Sequence, residues 1–302
     1  MREVLAHTVS FLARLYPFVS GQCTVASKPF IRWLFATDSG KPRKASFREY
    51  TVVTKVNDGH GRATFLFGCN DGKIRDLFRA IVKPGDTVLD IGANYGAFSL
   101  LSCRLTGPNG AVHAFEPNNE LAALLAQSAK ENGFENLAIH AVALSSETGR
   151  SVLHMPVGET GHASLEKADH ATICLDVDTA DAGSYLAGLQ LGPIKLLKID
   201  TEKHEYPIFK SARNFLSANP PRFIIFEYNE PSVPFWNSPL VRLLQSLHYD
   251  DFYCVPRTYL RTHLRAMKPG NNDVGRAINF LVMHRLTERS DIGHLLRKLA
   301  AP

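Results

Sequence analysis

Residues 88–101 read VLDIGANYGAFSLL, and their reading decides the fold. Val88, Leu89 and Ile91 form a short apolar run with one acid, Asp90, near its end. Gly92 and Gly96 then bracket a tight turn, and Ala97 begins a helical pattern. A buried strand that ends in a glycine turn and feeds a helix is a ligand-binding device: the glycines admit a ligand close to the backbone, and the helix start offers unpaired N–H groups. The spacing D-x-G-x-N-x-G differs from the dinucleotide fingerprint G-x-G-x-x-G.

Outward from this stretch the pattern alternates. Short apolar runs predict strands at 87–91, 111–115, 137–142, 194–199, 222–228, 252–255 and 278–283. Helical periodicity predicts helices at 97–105, 118–132, 181–189, 205–217 and 239–247. Continuous apolar strands separated by helices imply a sheet covered on both faces. The expected fold is α/β: a doubly wound, Rossmann-like sheet of seven strands, mostly parallel, with the last strand antiparallel. Upstream, 50–56 and 63–67 are rich in β-branched and aromatic residues around the turn-like NDGHG (57–61), which predicts a β-hairpin over 50–67. A short helix is expected over 76–82. Three segments follow: an N-terminal helical or irregular extension (1–48), a main domain (49–285, with the Rossmann-like core at 76–285), and a basic C-terminal tail (286–302) with helical character. Residues 143–180 interrupt the alternation with short strands at 151–155 and 172–177 around a loop at 158–168. They read as an insertion at the open edge of the site.

The composition is that of a globular protein, with 45% apolar and 21% charged residues. The net charge of +5 is uneven. Residues 1–48 hold eight Lys/Arg against two acids and 257–302 hold nine against three, whereas 49–256 hold 17 against 24. Basic ends promote solubility, and they also suit an anionic partner such as a membrane surface or a phosphorylated substrate. No run of basic and aromatic residues resembles a nucleic-acid module, so no nucleic-acid partner is expected. The five cysteines are far apart, with no C-x-x-C pair; reduced thiols in a cytoplasmic protein are the expectation. Residues 1–20 are apolar but broken by His7, Thr8 and Arg14, too short a run to span a bilayer. No signal peptide is read there. Val4, Leu5, Phe11, Leu12, Leu15 and Val19 fall near helical spacing, which predicts an amphipathic helix packed on the body of the protein rather than one lying on a membrane. Weak membrane-surface contact is a lesser expectation.

In a doubly wound sheet, ligands bind at the carboxyl ends of the strands. Four such ends carry polar or small residues: Asp90 to Gly96, Glu116 after Phe115, Ala143 after Val142, and Asp200-Thr-Glu202-Lys203-His204-Glu205. Glu116, at the end of the strand following the glycine turn, can accept hydrogen bonds from ribose hydroxyls. Both nicotinamide and sulfonium cofactors satisfy that arrangement. The two-glycine turn and its leading acid disfavour a pyrophosphate. Asp90 suits the ammonium of a methionine moiety.

Together VLDIGANYGAFSLL, AFEPN (114–118), VALS (142–145) and LKIDTEKHEYPIFKSA (197–212) resemble the class I S-adenosylmethionine-dependent methyltransferases, and most closely the FkbM family of small-molecule and sugar O-methyltransferases. The resemblance covers roughly residues 82–230. It implies S-adenosylmethionine as cofactor and a hydroxyl-bearing small molecule or glycan as acceptor. It further implies that Asp90, Gly92, Asn94 and Gly96 lie beneath the methionine part, that Glu116 binds ribose, that Ala143 meets the adenine edge, and that Asp200 and Glu202 stand beside the methyl group. Lys203 departs from the family's pattern, where glycine is usual. Either the turn relaxes into a conformation lysine tolerates or the substrate side is altered. His204, titrating near neutral pH, is the first candidate for the base that deprotonates the acceptor, with Asp200 and Glu202 receiving the proton or orienting the acceptor. His162 could cover the acceptor, and 227–230 could bind its hydroxyls. No metal-ligand spacing is evident; Asp176 and Asp178 are expected to cap a helix. N-methylation, a nicotinamide-dependent oxidoreductase and a non-catalytic cofactor-binding module are the alternatives.

Overall fold

The computed structural model describes residues 2–15, 19–36, 40–166, 172–229, 232–258, 260–275 and 277–288, with Asp291, Gly293, Leu295 and Leu299 beyond them. The chain opens with helices α1 (Arg2–Arg14), α2 (Gln22–Ala26) and α3 (Pro29–Phe35). A hairpin of β1 (Arg43–Ser46) and β2 (Thr51–Thr54) and helices α4 (Gly59–Phe67) and α5 (Gly72–Ile81) follow. The core begins at β3 (Thr87–Ile91) and runs through α6 (Ala97–Thr106), β4 (Ala111–Phe115), α7 (Asn119–Asn132) and β5 (Leu137–His140). Next come β6 (Ala143–Ser145), β7 (Gly149–Pro156), β8 (Thr172–Asp181) and α8 (Ala182–Gly188). The chain continues with β9 (Ile194–Ile199), α9 (Glu205–Ser211), α10 (Arg213–Ala218), β10 (Phe223–Glu227), α11 (Pro239–Ser246), β11 (Tyr249–Cys254), β12 (Arg265–Ala266) and β13 (Asn279–His284).

The main sheet has the order β12-β11-β13-β10-β9-β3-β4-β5. Its left-to-right reversal at β3/β9 is the switch point where such sheets bind ligands. β3 is parallel to β4 and β9, β9 is parallel to β10, and β13 runs antiparallel between β10 and β11. This is the expected doubly wound sheet with its last strand reversed, extended to eight strands by the two-residue β12. Alternation along each strand divides the core in two. Leu89 and Ile91, Ile224 and Phe226, and Phe280 and Val282 face one layer; Val88, Phe223 and Ile225, and Leu281 and Met283 face the other. Both faces are dry, which accounts for the continuous apolar runs in the sequence. β6, β8 and β7 form a separate three-stranded sheet.

The predicted 50–67 hairpin is corrected. β2 pairs back onto β1, from Arg43↔Thr54 to Ser46↔Thr51, and 59–67 is helical. Asp58 decides this: its carboxylate accepts the Gly61 N–H as a helix N-cap, and Gly68, at φ 82°, ends the helix by donating to the Thr64 carbonyl. Capping at both ends outweighs the β-type composition of ATFLF. The N-terminal helix also differs from expectation. α1 packs through Ala6, Val9 and Ala13, whereas Leu5, Phe11, Leu12 and Leu15 stay exposed. The short helix expected at 76–82 begins earlier, at Gly72, where Asp71 caps it. Asp176 and Asp178 lie within β8, and Asp181 is the residue that caps α8. The predicted C-terminal helix falls largely outside the described residues; within it, Asp291 pairs with Lys83 and Lys195, and Leu295 is buried. All five cysteines are free.

Candidate active site

A cavity of about 860 Å³, counting its mouth, opens at the carboxyl ends of β3, β4 and β9. Gly92 and Asn94 form its floor. Gly92 has φ 78°, and a Cβ there would stand 2.0 Å from the Asp200 carbonyl oxygen, so only glycine lets the two strand ends meet this closely. At Gly96 (φ 80°) a Cβ would collide with Leu125 of α7 at 2.1 Å; this glycine serves helix packing. Asn94 sits in the left-handed region (φ 52°) and bonds its own chain through Tyr95 N–H.

Glu116 is buried and lines the cavity. One carboxylate oxygen accepts the Asn94 N–H at 2.7 Å and the other the Asn118 N–H at 2.9 Å, which leaves lone pairs for further donors. Burial pushes its carboxyl up to about 7, against the pull of those two N–H groups. Beyond it Phe115, Val142, Ala143, Leu144, Leu153 and Leu165 make an apolar slot. A buried acid with lone pairs to spare beside an apolar slot of this kind fits a nucleoside.

Asp90 is not among the residues lining this cavity. Its side chain is on the opposite side of β3 from Leu89 and Ile91, completely buried, where Ser99 Oγ donates to it at 2.6 Å. Its register partner on β9 is Lys198, whose ammonium lies 3.4 Å from Asp90, 3.6 Å from Asp200 and 3.4 Å from the Gly92 carbonyl, over the Phe98 ring. Burial alone would depress the Lys198 pKa, yet the two carboxylates raise it overall. Lys198 therefore ties the glycine turn to the β9 end. The sequence carries the signal: a lysine two residues before Asp200, on the buried stretch of a largely apolar strand, must be paired.

The Thr160–His162 turn roofs the cavity. Asp58 accepts the Thr160 N–H (2.7 Å) and hydroxyl (2.8 Å), and the Asn94 amide donates to the Thr160 carbonyl at 3.1 Å. Segments 102 and 66 residues apart are thus fastened together over the site. A second, larger space of about 1750 Å³, measured in the same way, adjoins the first. His60, Asn70, Lys198, Asp200 and Glu202 belong to both walls. The outer wall of the second space includes residues 20–25 from the N-terminal extension and Arg257. His162 lines this outer space and not the inner one.

At the junction, carboxylate oxygens of Asp200, Glu202 and Glu227 lie within 4.8 Å of one another. A cation or a shared proton satisfies such a cluster. Burial and the neighbouring carboxylates push Glu202 up to about 8, and Glu227 is raised further by burial, then by Asp200 and Glu202. Glu227 comes from β10, so no local spacing marks the group. His204 stands apart from it: its Nδ1 lies 3.0 Å from Glu166 and its Nε2 3.0 Å from Ser145 Oγ, and it lines only the inner cavity. His60, within the turn-like 57–61 stretch of the sequence, lies on the wall shared by both spaces, and burial holds its pKa below that of an ordinary imidazole.

The profile of the methyltransferase FkbM domain matches residues 90–257, more than half of the chain. The chain belongs to the FkbM methyltransferase family. It is an enzyme that transfers methyl groups, with S-adenosylmethionine as donor. Among solved structures it is similar to an FkbM methyltransferase from Methylobacillus flagellatus KT (12% identity, 68% of this chain and 49% of that one, TM-score 0.38). It is also similar to an S-adenosylmethionine-dependent O-methyltransferase from Thermotoga maritima (14%, 70% and 64%, TM-score 0.41) and to precorrin-6y C5,15-methyltransferase from Geobacter metallireducens GS-15 (12%, 70% and 88%, TM-score 0.39).

In this FkbM chain the turn after β9 has not relaxed around Lys203. Glu202 (φ 52°) and Lys203 (φ 79°) are consecutive left-handed residues. The turn keeps the shape that glycine favours and carries a lysine in it at a cost. Fastenings hold it: Ser164 Oγ donates to the Glu202 carbonyl at 2.6 Å, and Glu205 accepts from the Thr201 N–H at 2.8 Å.

Proposed function

We propose that the enzyme O-methylates a hydroxyl of a glycan or a polyol-like small molecule. The observation that carries this reading is the second space. It shares His60, Asp200 and Glu202 with the cofactor cavity, and its wall is set with carboxylates, amides and single cations, as a ligand with many hydroxyls requires. In the inner cavity Glu116 holds the ribose, the slot around Ala143 takes the adenine, and the backbone from Gly92 to Gly96 runs beneath the methionine part. Asp90 acts one step removed, by fixing Lys198 and through it the turn. S-adenosylmethionine supplies a methyl group already activated on a sulfonium.

The chain's own task is to orient the acceptor oxygen and take its proton. His60 is the base in this reading: a neutral imidazole on the shared wall accepts a proton, whereas both ring nitrogens of His204 are occupied. Asp200 and Glu202 accept hydrogen bonds from neighbouring hydroxyls and hold the acceptor. A positioned base is worth about 10²–10⁴-fold. The reading is tested by offering His60→Gln a saccharide panel. Turnover should fall by about 10²-fold with S-adenosylhomocysteine affinity unchanged; unaltered turnover removes His60 from the mechanism.

A further inference from the structure

We propose that the outer face of α1 and α3 is a docking surface for an anionic lipid bilayer. α1 buries its small residues, Ala6, Val9 and Ala13, against the N-terminal core and turns its large ones outward. Phe11, Leu12 and Leu15 are 63%, 57% and 65% exposed. On the neighbouring α3, Ile31, Leu34 and Phe35 are buried, while Phe30 and Trp33 stack on each other at 6.0 Å and remain 54% and 45% exposed. Six large apolar side chains, Leu5 among them, thus lie on the outside of two adjacent helices. A soluble monomer rarely gathers so many exposed large apolar groups on one small module.

Charge complementarity selects the occupant. Residues 1–48 carry eight Lys/Arg against two acids; exposed Lys28 stands at the N-cap of α3 and exposed Arg32 lies within it, next to Trp33. Aromatic and leucine side chains flanked by basic ones are the composition of an element that lies in the interface of an anionic membrane. A second copy of this chain would bring +6 against +6. The mode is surface binding, since among the described residues no helix is long and apolar enough to cross a membrane. Residues 20–25 of the same extension wall the outer space of the active site. Docking would thus hold the acceptor entrance next to the bilayer, so the surface suits an acceptor presented on lipid.

The test is co-sedimentation of the full chain with phosphatidylcholine vesicles, with or without phosphatidylglycerol. Trp33 emission is followed in a Trp236→Phe background. The chain should pellet with the anionic vesicles only, with a blue-shifted Trp33. Phe11→Ser/Leu12→Ser should lose binding at least tenfold, and Lys28→Glu and Arg32→Glu about fivefold or more each, with S-adenosylhomocysteine affinity unchanged as proof of folding. Three results would each overturn the proposal: no pelleting with either vesicle, equal pelleting with both, or a dimer by light scattering that Phe11→Ser/Leu12→Ser dissolves while vesicles are ignored. Since neither readout involves methyl transfer, failure of the hydroxyl-acceptor reading would leave this result standing.

Discussion

Replacing Asp90 by Asn separates a residue that contacts the cofactor from one that holds the turn. The side chain is completely buried, pairs with the equally enclosed Lys198, and takes a hydrogen bond from Ser99. Asn keeps the shape and removes the charge. Lys198 is then left with Asp200 at 3.6 Å, a partner that is itself part of a crowded acidic cluster. Breaking a buried pair from one side costs about 3–5 kcal/mol. Unfolding 302 residues carries an entropy of roughly 0.6 kcal/mol/K, so Asp90→Asn should lower Tm by about 5–8 °C. Adding Lys198→Met removes the stranded cation, and the double variant should recover most of the loss. Differential scanning fluorimetry and titration with S-adenosylhomocysteine are run on the same samples. Affinity in Asp90→Asn should stay within about threefold of wild type, a difference below ~1 kcal/mol. A Tm within about 2 °C of wild type together with a tenfold loss of affinity would refute the reasoning and return Asp90 to the cofactor.

Lys203→Gly relieves one left-handed residue and should stabilise the fold by about 1 kcal/mol, a rise of about 1.5 °C in Tm; an unchanged or lower Tm means the lysine makes a compensating contact. Glu202 has its folded pKa raised by burial, Asp200 and Glu205, and Glu227 by burial, Asp200 and Glu202, so both favour the fold when protonated. The stability they confer is complete near the ordinary carboxylate pKa and is lost as pH rises through about 8 and beyond. Glu227→Gln should therefore flatten the decline of Tm between about pH 6 and pH 9. His140 is held neutral, with its pKa lowered to about 4 by burial and by His113, so its contribution is lost as pH falls from about 6.5 through 4. His140→Gln should make the fold less acid-labile, read as a smaller drop in Tm across that window.

Much of the architecture was legible because the core obeys one rule. Strands buried on both faces must be short and apolar, and the helices between them must be capped and periodic. The misread segments are those where a local signal had two meanings. The stretch 57–61 reads as a turn, yet its Asp58 caps a helix and simultaneously binds the Thr160 turn about a hundred positions away. Leu5, Phe11, Leu12 and Leu15 read as a packing face because hydrophobicity alone does not say which side of a helix meets the core; Ala6, Val9 and Ala13 fit more closely against α4 and took that side. In the site, Glu116 and the glycine turn were readable because strand ends converge at the switch point. The direction of Asp90 was not, since it depends on the parity of β3 against a sheet whose faces were not yet assigned. His60 joins the site through tertiary contacts with no local spacing to announce it, whereas Glu227 closes the strand whose end at 227–230 the sequence already marks as facing the acceptor.

The central claim is that the two adjoining spaces together deliver a methyl group to a hydroxyl. It is tested most directly by incubating the full chain with methyl-labelled S-adenosylmethionine and a panel of saccharides and polyols, then locating the label in any product by NMR. The account predicts a labelled methyl on oxygen, abolished when Glu116→Ala prevents cofactor binding. A label found on nitrogen or carbon would contradict it.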